Sequence, residues 1–181
     1  MTKANIITLL RILLVPIFIV ILLTEMENKE IIAFIVFLFA AISDAFDGYI
    51  ARKFNQVTDL GKFLDPIADK LLISAALIAL VSVGEIETWA AVVIILREIF
   101  MTAFRLYFLL KEASFSASKI AKNKTLLQII AISVFIIYKK LPYPDLLHTI
   151  GTIILYIAVF LTIYSAVEYI IKYSRVIKKE R

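Results

Sequence analysis

The stretches that decide this fold are SDAFDGYIAR (residues 43–52) and GKFLDPIADK (residues 61–70), which lie between two long apolar segments. Five of the six aspartates in the sequence fall between positions 44 and 69. A charged residue at bilayer depth costs about 2.5–3.5 kcal/mol even on a lenient insertion scale. So many carboxylates beside membrane-type segments therefore indicate a functional site.

The spacing of four of these aspartates predicts how they are arranged. Asp44 and Asp47 are three residues apart, and Asp65 and Asp69 are four apart, so each pair shares one face of a helix. A hairpin through residues 53–60 would set the two faces opposite each other. Four converging carboxylates could not all stay ionised without a cation among them. All-oxygen ligands suit a hard ion, Mg²⁺ or Mn²⁺.

A simpler interpretation of the same aspartates is that they are separate interfacial residues at helix ends. Each would then pair with a basic neighbour, Arg52, Lys62 or Lys70. This explains one carboxylate well, but it does not explain four with matched helical phase and two glycines, Gly48 and Gly61, close to them. The metal site is therefore the favoured interpretation.

The composition is that of an integral membrane protein. Hydrophobic residues make up 62% of the chain and charged residues 19%, whereas a soluble domain is nearer half apolar and a quarter charged. The length of 181 residues predicts one domain, residues 1–181. The absence of cysteine excludes disulfide and thiolate chemistry. The 20 basic residues, against 15 acidic, lie beside apolar segments, which favours anionic lipid headgroups over nucleic acid as their partners.

Six apolar segments predict an all-α, polytopic membrane protein with six transmembrane helices. We expect the spans at residues 9–23, 31–52, 60–83, 89–110, 125–138 and 146–171, with the fifth helix extending back through Lys122.

The charges between these spans predict their orientation. Most lysines and arginines lie before the first span, after the sixth, and in the connections after the second and the fourth, whereas the other connections hold only Lys29, Lys139 and Lys140. By the positive-inside rule, both termini and the aspartates face the cytoplasm. We therefore expect a multi-pass protein of the inner (cytoplasmic) membrane that contacts membrane lipids and has its active site on the cytoplasmic side.

The pattern Asp44-x2-Asp47-Gly48-x2-Ala51-Arg52-x8-Gly61-x3-Asp65-x3-Asp69 matches, without departure, the signature of the CDP-alcohol phosphatidyltransferase family. The chain resembles that family along its whole length, since the family core is also six membrane helices with a cytoplasmic metal site. Other segments are similar to the members that use glycerol-3-phosphate: NIITLLR (residues 5–11), Arg97-Glu98, Arg105 and Lys122-x-Lys124-Thr125. Two positions depart from these members, with Ala4 in place of a proline and Ala121 in place of a glycine.

The resemblance implies a phospholipid-biosynthesis enzyme that transfers the phosphatidyl group from CDP-diacylglycerol to glycerol-3-phosphate and releases CMP. It implies two divalent cations held by Asp44, Asp47, Asp65 and Asp69, with Asp69 also the general base for the acceptor hydroxyl. The residues implied to bind CDP-diacylglycerol are Asn5, Thr8, Gly48, Arg52, Thr58 and Gly61.

Basic residues outside the signature predict where the acceptor binds. Arg97 and Arg105 are eight residues apart, on roughly one face of the fourth span, where a charge needs an anionic partner. We expect a phosphate-binding group formed by Arg97, Arg105, Lys119, Lys122, Lys124 and Thr125. The alternative is that Arg97 pairs with Glu98 or an aspartate, while the lysines contact lipid phosphates.

Two other functions remain open at this point. Another family member would use a different acceptor, either inositol phosphate or, as in cardiolipin synthesis, phosphatidylglycerol. A protein of a different class, a cation transporter, also carries carboxylates within its spans, but here they gather at one end. The expected partners are CDP-diacylglycerol, glycerol-3-phosphate and membrane lipids, with no nucleic acid, and a homodimer is possible.

Overall fold

A computed structural model describes the backbone of residues 3–53, 59–109 and 119–179, and the side chains within 9–43, 70–104 and 124–171. Within these ranges every regular element is helical, which confirms the all-α prediction for this part of the chain. The elements are α1 (Lys3–Leu23), α2 (Lys29–Lys53), α3 (Asp59–Ser82), α4 (Thr88–Leu109), α5 (Lys119–Ile137), a 3₁₀ helix (Tyr138–Lys140) and α6 (Pro144–Lys179).

The six α-helices form one bundle with α3 near its centre. Helix α3 contacts α1, α2, α4 and α5, while α6 packs on α4 and α5. Most of the core between them is apolar, and the rings of Phe18 on α1 and Phe37 on α2 lie 5.7 Å apart. Helix α6 approaches α5 closely at Gly151, where a Cβ atom would lie 3.1 Å from Val134 Cγ1. We call the end of the bundle where α2 ends and α3 begins the aspartate end.

The outer surface of the bundle is apolar. Large hydrophobic side chains are exposed on every α-helix, for example Leu13, Ile35, Ile78, Leu96, Ile130 and Phe160, as expected where lipid rather than water covers the surface. Of the helices in the described part, α6 alone is long and apolar enough to cross a membrane, over Pro144–Ile171. Shorter apolar stretches cover Leu9–Leu23 and Lys70–Ser82. The six-span topology therefore stays a prediction.

Several helices are longer than the apolar spans predicted from sequence. Helix α1 begins at Lys3 rather than residue 9, α5 at Lys119, and α6 continues to Lys179 rather than ending at residue 171. Hydropathy marks only the part of a helix that is apolar, whereas lysine and arginine are themselves good helix formers. The candidate acceptor lysines 119, 122 and 124 consequently lie on α5 itself.

The opposite end of the bundle is joined by polar contacts around Glu85. The turn after α3 contains Gly84, whose positive φ of 75° allows its N–H to bond to the Val81 carbonyl, while the Glu85 N–H bonds to the Leu80 carbonyl. This turn places the Glu85 carboxylate where it accepts hydrogen bonds from Tyr138 Oη (2.7 Å) and Lys139 Nζ (2.5 Å). The hydrogen bond to Glu85 raises the pKa of Lys139 above its usual value. These contacts fasten the α3–α4 turn to the segment between α5 and α6.

Candidate functional site

The four signature aspartates lie on the adjoining ends of two consecutive helices. Asp44 and Asp47 fall within the last three turns of α2, and Asp65 and Asp69 within the first three turns of α3. The two helices are in contact, and only residues 54–58 separate them along the chain. Both aspartate pairs therefore belong to the same end of the bundle, as the hairpin prediction requires.

The aspartate side chains lie outside the described residues, so their convergence stays a prediction. Within the described side chains, no group of three or more histidine, cysteine, aspartate or glutamate residues could hold a metal ion. The fit of a divalent cation accordingly depends on the signature aspartates, whose oxygen donors and shared helix end suit Mg²⁺ or Mn²⁺.

The positions expected to bind CDP-diacylglycerol also map to this end. Asn5 and Thr8 lie near the start of α1, Gly48 and Arg52 near the end of α2, and Gly61 in the first turn of α3. Helix α1 contacts both α2 and α3, so these five positions lie on three helices that pack against one another. Their side chains, and all of Thr58, lie outside the described residues.

The best-defined polar feature of the described region is a cluster of charged side chains around Glu98 of α4. This carboxylate is only 4% exposed and accepts a hydrogen bond from Lys124 of α5, which is 3% exposed. Arg97 Nη1 lies 3.2 Å from Glu98 Oε1, and Lys70 Nζ of α3 lies 3.4 Å from Oε2. One carboxylate therefore brings cations from α3, α4 and α5 together.

The Glu98 cluster continues into α6 through the guanidinium of Arg97. Its Nη2 donates to Ser165 Oγ at 2.6 Å, and its Nε donates to the Thr162 carbonyl at 3.1 Å. Gln128 of α5 donates to the Thr162 hydroxyl at 3.2 Å. These contacts give buried polar groups their hydrogen-bond partners, as an apolar environment requires, and they join α4, α5 and α6.

Only part of this cluster is predicted by the sequence. Arg97 and Lys124 are brought together as expected, and Arg97 also pairs with Glu98, as the alternative expected. Arg105, Lys119 and Lys122 lie on α4 and α5, but their side chains are outside the described residues, while Thr125 follows Lys124 on α5. Four further members were not predicted: Lys70, Gln128, Thr162 and Ser165. The sequence does contain a signal that could have identified some of them, namely polar residues within apolar spans. Thr162 and Ser165, for example, are three residues apart and therefore share one face of a helix.

The Glu98 cluster lies beside the candidate metal site, because Lys70 directly follows Asp69 along α3. Within the described side chains, the cluster combines the cations of Lys70, Arg97 and Lys124 with the single carboxylate of Glu98. This arrangement concentrates three basic side chains next to the aspartate positions of α3.

A lateral apolar cavity of about 550 Å³ lies between α2 and α5. At one end the cavity is lined by Ile42, two residues before Asp44, and by Leu126, two residues after Lys124. At the other end it is lined by Leu147, near the start of α6. Nearly all of the lining side chains are hydrophobic, with Ser133 the polar exception. A cavity of this shape and chemistry suits a hydrocarbon chain whose polar end lies at the aspartate end.

Comparison of the sequence with known proteins identifies the family to which the chain is similar. Residues 1–164 match the model of the CDP-alcohol phosphatidyltransferase family. The chain is 38% identical to a Rickettsia bellii protein named CDP-diacylglycerol–glycerol-3-phosphate 3-phosphatidyltransferase, with 91% of each chain covered. It is 41% identical to a Bacillus subtilis protein of the same name, with 93% of each covered. It is also 37% identical to a probable phosphatidylglycerophosphate synthase of Mycobacterium tuberculosis, covering 95% of this chain and 81% of that protein.

These matches span nearly the whole bundle and include both helices that carry the aspartates. The predicted family resemblance is thereby confirmed, and the chain belongs to the CDP-alcohol phosphatidyltransferase family.

Proposed function

We propose that this protein transfers the phosphatidyl group from CDP-diacylglycerol to glycerol-3-phosphate, giving phosphatidylglycerophosphate and CMP in phospholipid biosynthesis. The observation that carries the proposal is the identity of 38–41% to relatives named for this reaction, over more than nine-tenths of both chains. The complete aspartate signature at the α2–α3 end supports the same chemistry.

The reacting groups are assigned to the signature aspartates. Asp44, Asp47, Asp65 and Asp69 would hold two divalent cations. Bound there, divalent cations would supply positive charge to the diphosphate of CDP-diacylglycerol and to the leaving CMP. Asp69 takes the proton from the acceptor hydroxyl. The hydroxyl oxygen of the acceptor then forms a bond to the lipid-linked phosphorus, while the bond between this phosphorus and the CMP oxygen breaks.

The nucleotide and lipid parts of CDP-diacylglycerol are assigned to different parts of the bundle. Gly48 leaves room for the nucleotide because it has no side chain, and Arg52 offers a bidentate contact to phosphate. Asn5, Thr8, Thr58 and Gly61 complete the polar surroundings. One acyl chain enters the apolar cavity between α2 and α5, which begins beside these groups.

The acceptor phosphate is assigned to the basic groups next to Asp69. Arg97 and Lys124 lie together in the Glu98 cluster. Arg105 of α4 and Lys119, Lys122 and Thr125 of α5 are assigned to the same phosphate-binding group. Charge-assisted hydrogen bonds from these groups favour a phosphorylated acceptor over a neutral alcohol.

The same proposal includes a topology. The chain is one domain, residues 1–181, with six membrane-spanning helices, both termini in the cytoplasm and the aspartate end facing soluble glycerol-3-phosphate. The bias of basic residues toward this end supports that orientation in the inner membrane.

The experiment is to purify the protein in detergent and measure CMP release from CDP-diacylglycerol with a panel of acceptors. Glycerol-3-phosphate should give the highest rate, activity should vanish with excess chelator, and added Mg²⁺ or Mn²⁺ should restore it. A clear preference for inositol phosphate or phosphatidylglycerol would move the chain to another member of the family. Full activity in excess chelator would overturn the metal assignment.

A further inference from the structure

Glu98 is an acid at the centre of a group of bases. Among the described side chains its carboxylate contacts Lys124, whose hydrogen bond joins it to α5, and Arg97 and Lys70 at 3.2 and 3.4 Å. Glu98 and Lys124 are almost inaccessible to solvent, with relative exposures of 4% and 3%. Water therefore screens their interaction far less than it screens a surface ion pair.

The cations around Glu98 come from different helices, and nothing in the covalent chain holds them together. Lys70, Arg97 and Lys124 lie on α3, α4 and α5. Their charges repel one another at short range in a medium of low polarity. A carboxylate between them opposes this repulsion and gives each of them a defined position. Without it, the flexible lysine side chains would lose a shared anchor.

Arg97 connects the Glu98 cluster to α6 through hydrogen bonds. Two of its nitrogens are held by Ser165 and the Thr162 carbonyl, and a third lies next to Glu98. The guanidinium is planar and its donors have a fixed geometry. The position of Glu98 therefore also constrains the orientation of Arg97 between α4 and α6.

We propose that Glu98 is a positioning residue, which holds Lys124, Arg97 and Lys70 in the geometry that binds the phosphate of the acceptor. This inference rests on the proposed function, since it concerns the acceptor half of that reaction. Glu98 would not contact the acceptor phosphate directly, because like charges repel. It acts through the cations, of which Lys124 is the most completely buried.

The test compares Glu98→Gln, which removes the charge at nearly constant volume, with the wild type. The KM for glycerol-3-phosphate should rise ~10- to 100-fold, the effect expected from losing a well-placed charged contact to phosphate. The KM for CDP-diacylglycerol should change by no more than a factor of about 2, because other groups hold that substrate. A similar rise in both KM values would overturn the inference.

Glu85→Gln is the matched structural control. Glu85 also joins separate elements through hydrogen bonds from Tyr138 and Lys139, but it does so at the opposite end of the bundle. Both variants should lower the Tm in detergent, while only Glu98→Gln should raise the acceptor KM. If the two variants lower the Tm alike and neither changes the acceptor KM, Glu98 has only a structural role.

A double variant shows whether Glu98 acts through Lys124. In the Lys124→Gln background, the further change Glu98→Gln should raise the acceptor KM far less than it does in the wild type. Independent, multiplicative effects would contradict a role through Lys124. If Glu98→Gln does not fold, Glu98→Asp decides the question. Its carboxylate is one methylene shorter, so an unchanged acceptor KM would overturn the inference.

The wild-type assay separates this inference from the proposed function. If the wild type prefers another phosphorylated acceptor, the proposed function fails, and the same variants are measured with that acceptor. If glycerol-3-phosphate is the substrate and Glu98→Gln leaves its KM unchanged, the function stands and the role of Glu98 fails.

Discussion

Asp69 and Lys70 are neighbours in α3 that we assign to different halves of one reaction. The carboxylate belongs to the proposed metal site and takes the acceptor proton, while the ammonium belongs to the Glu98 cluster. Successive residues on a helix project about 100° apart. Helix α3 can therefore serve the nucleotide side and the acceptor side of the site within a single turn.

Replacing Asp69 should separate the general base from the metal ligands. We expect Asp69→Asn to lower kcat by ~10²–10⁴-fold, the usual contribution of a general base, while CDP-diacylglycerol binding is largely retained. Asp44→Asn should weaken metal binding and lower turnover together. Turnover with varied Mg²⁺ distinguishes the two, and Asp145→Asn, an exposed aspartate at the opposite end, is the control. Near-normal turnover of Asp69→Asn would show that the base is another group.

Replacing Arg105 tests the acceptor assignment at a residue whose side chain lies outside the described part. Arg105→Ala should raise the KM for glycerol-3-phosphate by about one to two powers of ten and leave that for CDP-diacylglycerol nearly unchanged. Arg105→Lys should recover only part of the loss, since an ammonium cannot reproduce the guanidinium fork. Steady-state kinetics with each substrate varied make the comparison, with Lys139→Ala as a control at the opposite end. Equal damage to both KM values would favour a folding or lipid-contact role.

At the scale of helices, how closely two neighbouring helices pack determines whether there is room between them for part of a substrate. Helices α2 and α5 contact each other yet leave the apolar cavity between them, whereas α5 and α6 pack tightly at Gly151. The sequence predicts all of these helices from their hydropathy. It does not predict which neighbours pack closely, because exposed and buried apolar residues are chemically alike in a membrane-type helix.

Filling the cavity between α2 and α5 should impair use of the lipid substrate. Ile130 lines it and is 39% exposed, so a larger ring can enter the cavity without displacing the core. We expect Ile130→Trp to raise the KM for CDP-diacylglycerol several-fold and to leave that for glycerol-3-phosphate unchanged. Ile163→Trp, on the exposed surface of α6 and not part of the lining, is the matched control. Equal kinetics of the two variants would show that the cavity does not hold the acyl chain.

At the scale of the whole molecule, the two ends of the bundle differ in chemistry. One end carries the aspartates and most of the basic residues, and the other is joined by contacts around Glu85. A membrane enzyme fed by soluble glycerol-3-phosphate needs its reactive end in the cytoplasm. The charge bias predicts this orientation through the positive-inside rule.

The absence of cysteine makes the topology directly testable. A single Lys139→Cys variant should react with a membrane-impermeant maleimide in intact spheroplasts. A Lys179→Cys variant, near the end of α6, should react only after the membrane is permeabilised. Labelling detected by mass shift gives the result, and the reverse pattern would place the aspartate end outside the cytoplasm.

Within the described residues, the sequence by itself determined the all-helical fold class and the approximate position of each α-helix, and it predicted the helical phase of the aspartates. These properties are local: they depend on hydropathy over one span and on spacings of three or four residues. The complete signature between Asp44 and Asp69 is equally local, and for that reason the amino-acid sequence alone predicted the family.

Only the tertiary structure decided that Glu98 is the centre of a cluster and that Arg97 reaches α6. The contact between Glu98 and Lys124 joins residues 26 positions apart, and that between Arg97 and Ser165 joins residues 68 positions apart. No periodic pattern relates such positions, because the packing of separate helices determines their separation in space. In the sequence, Glu98 is one acid among apolar residues, and packing makes it the shared partner of Lys70, Arg97 and Lys124.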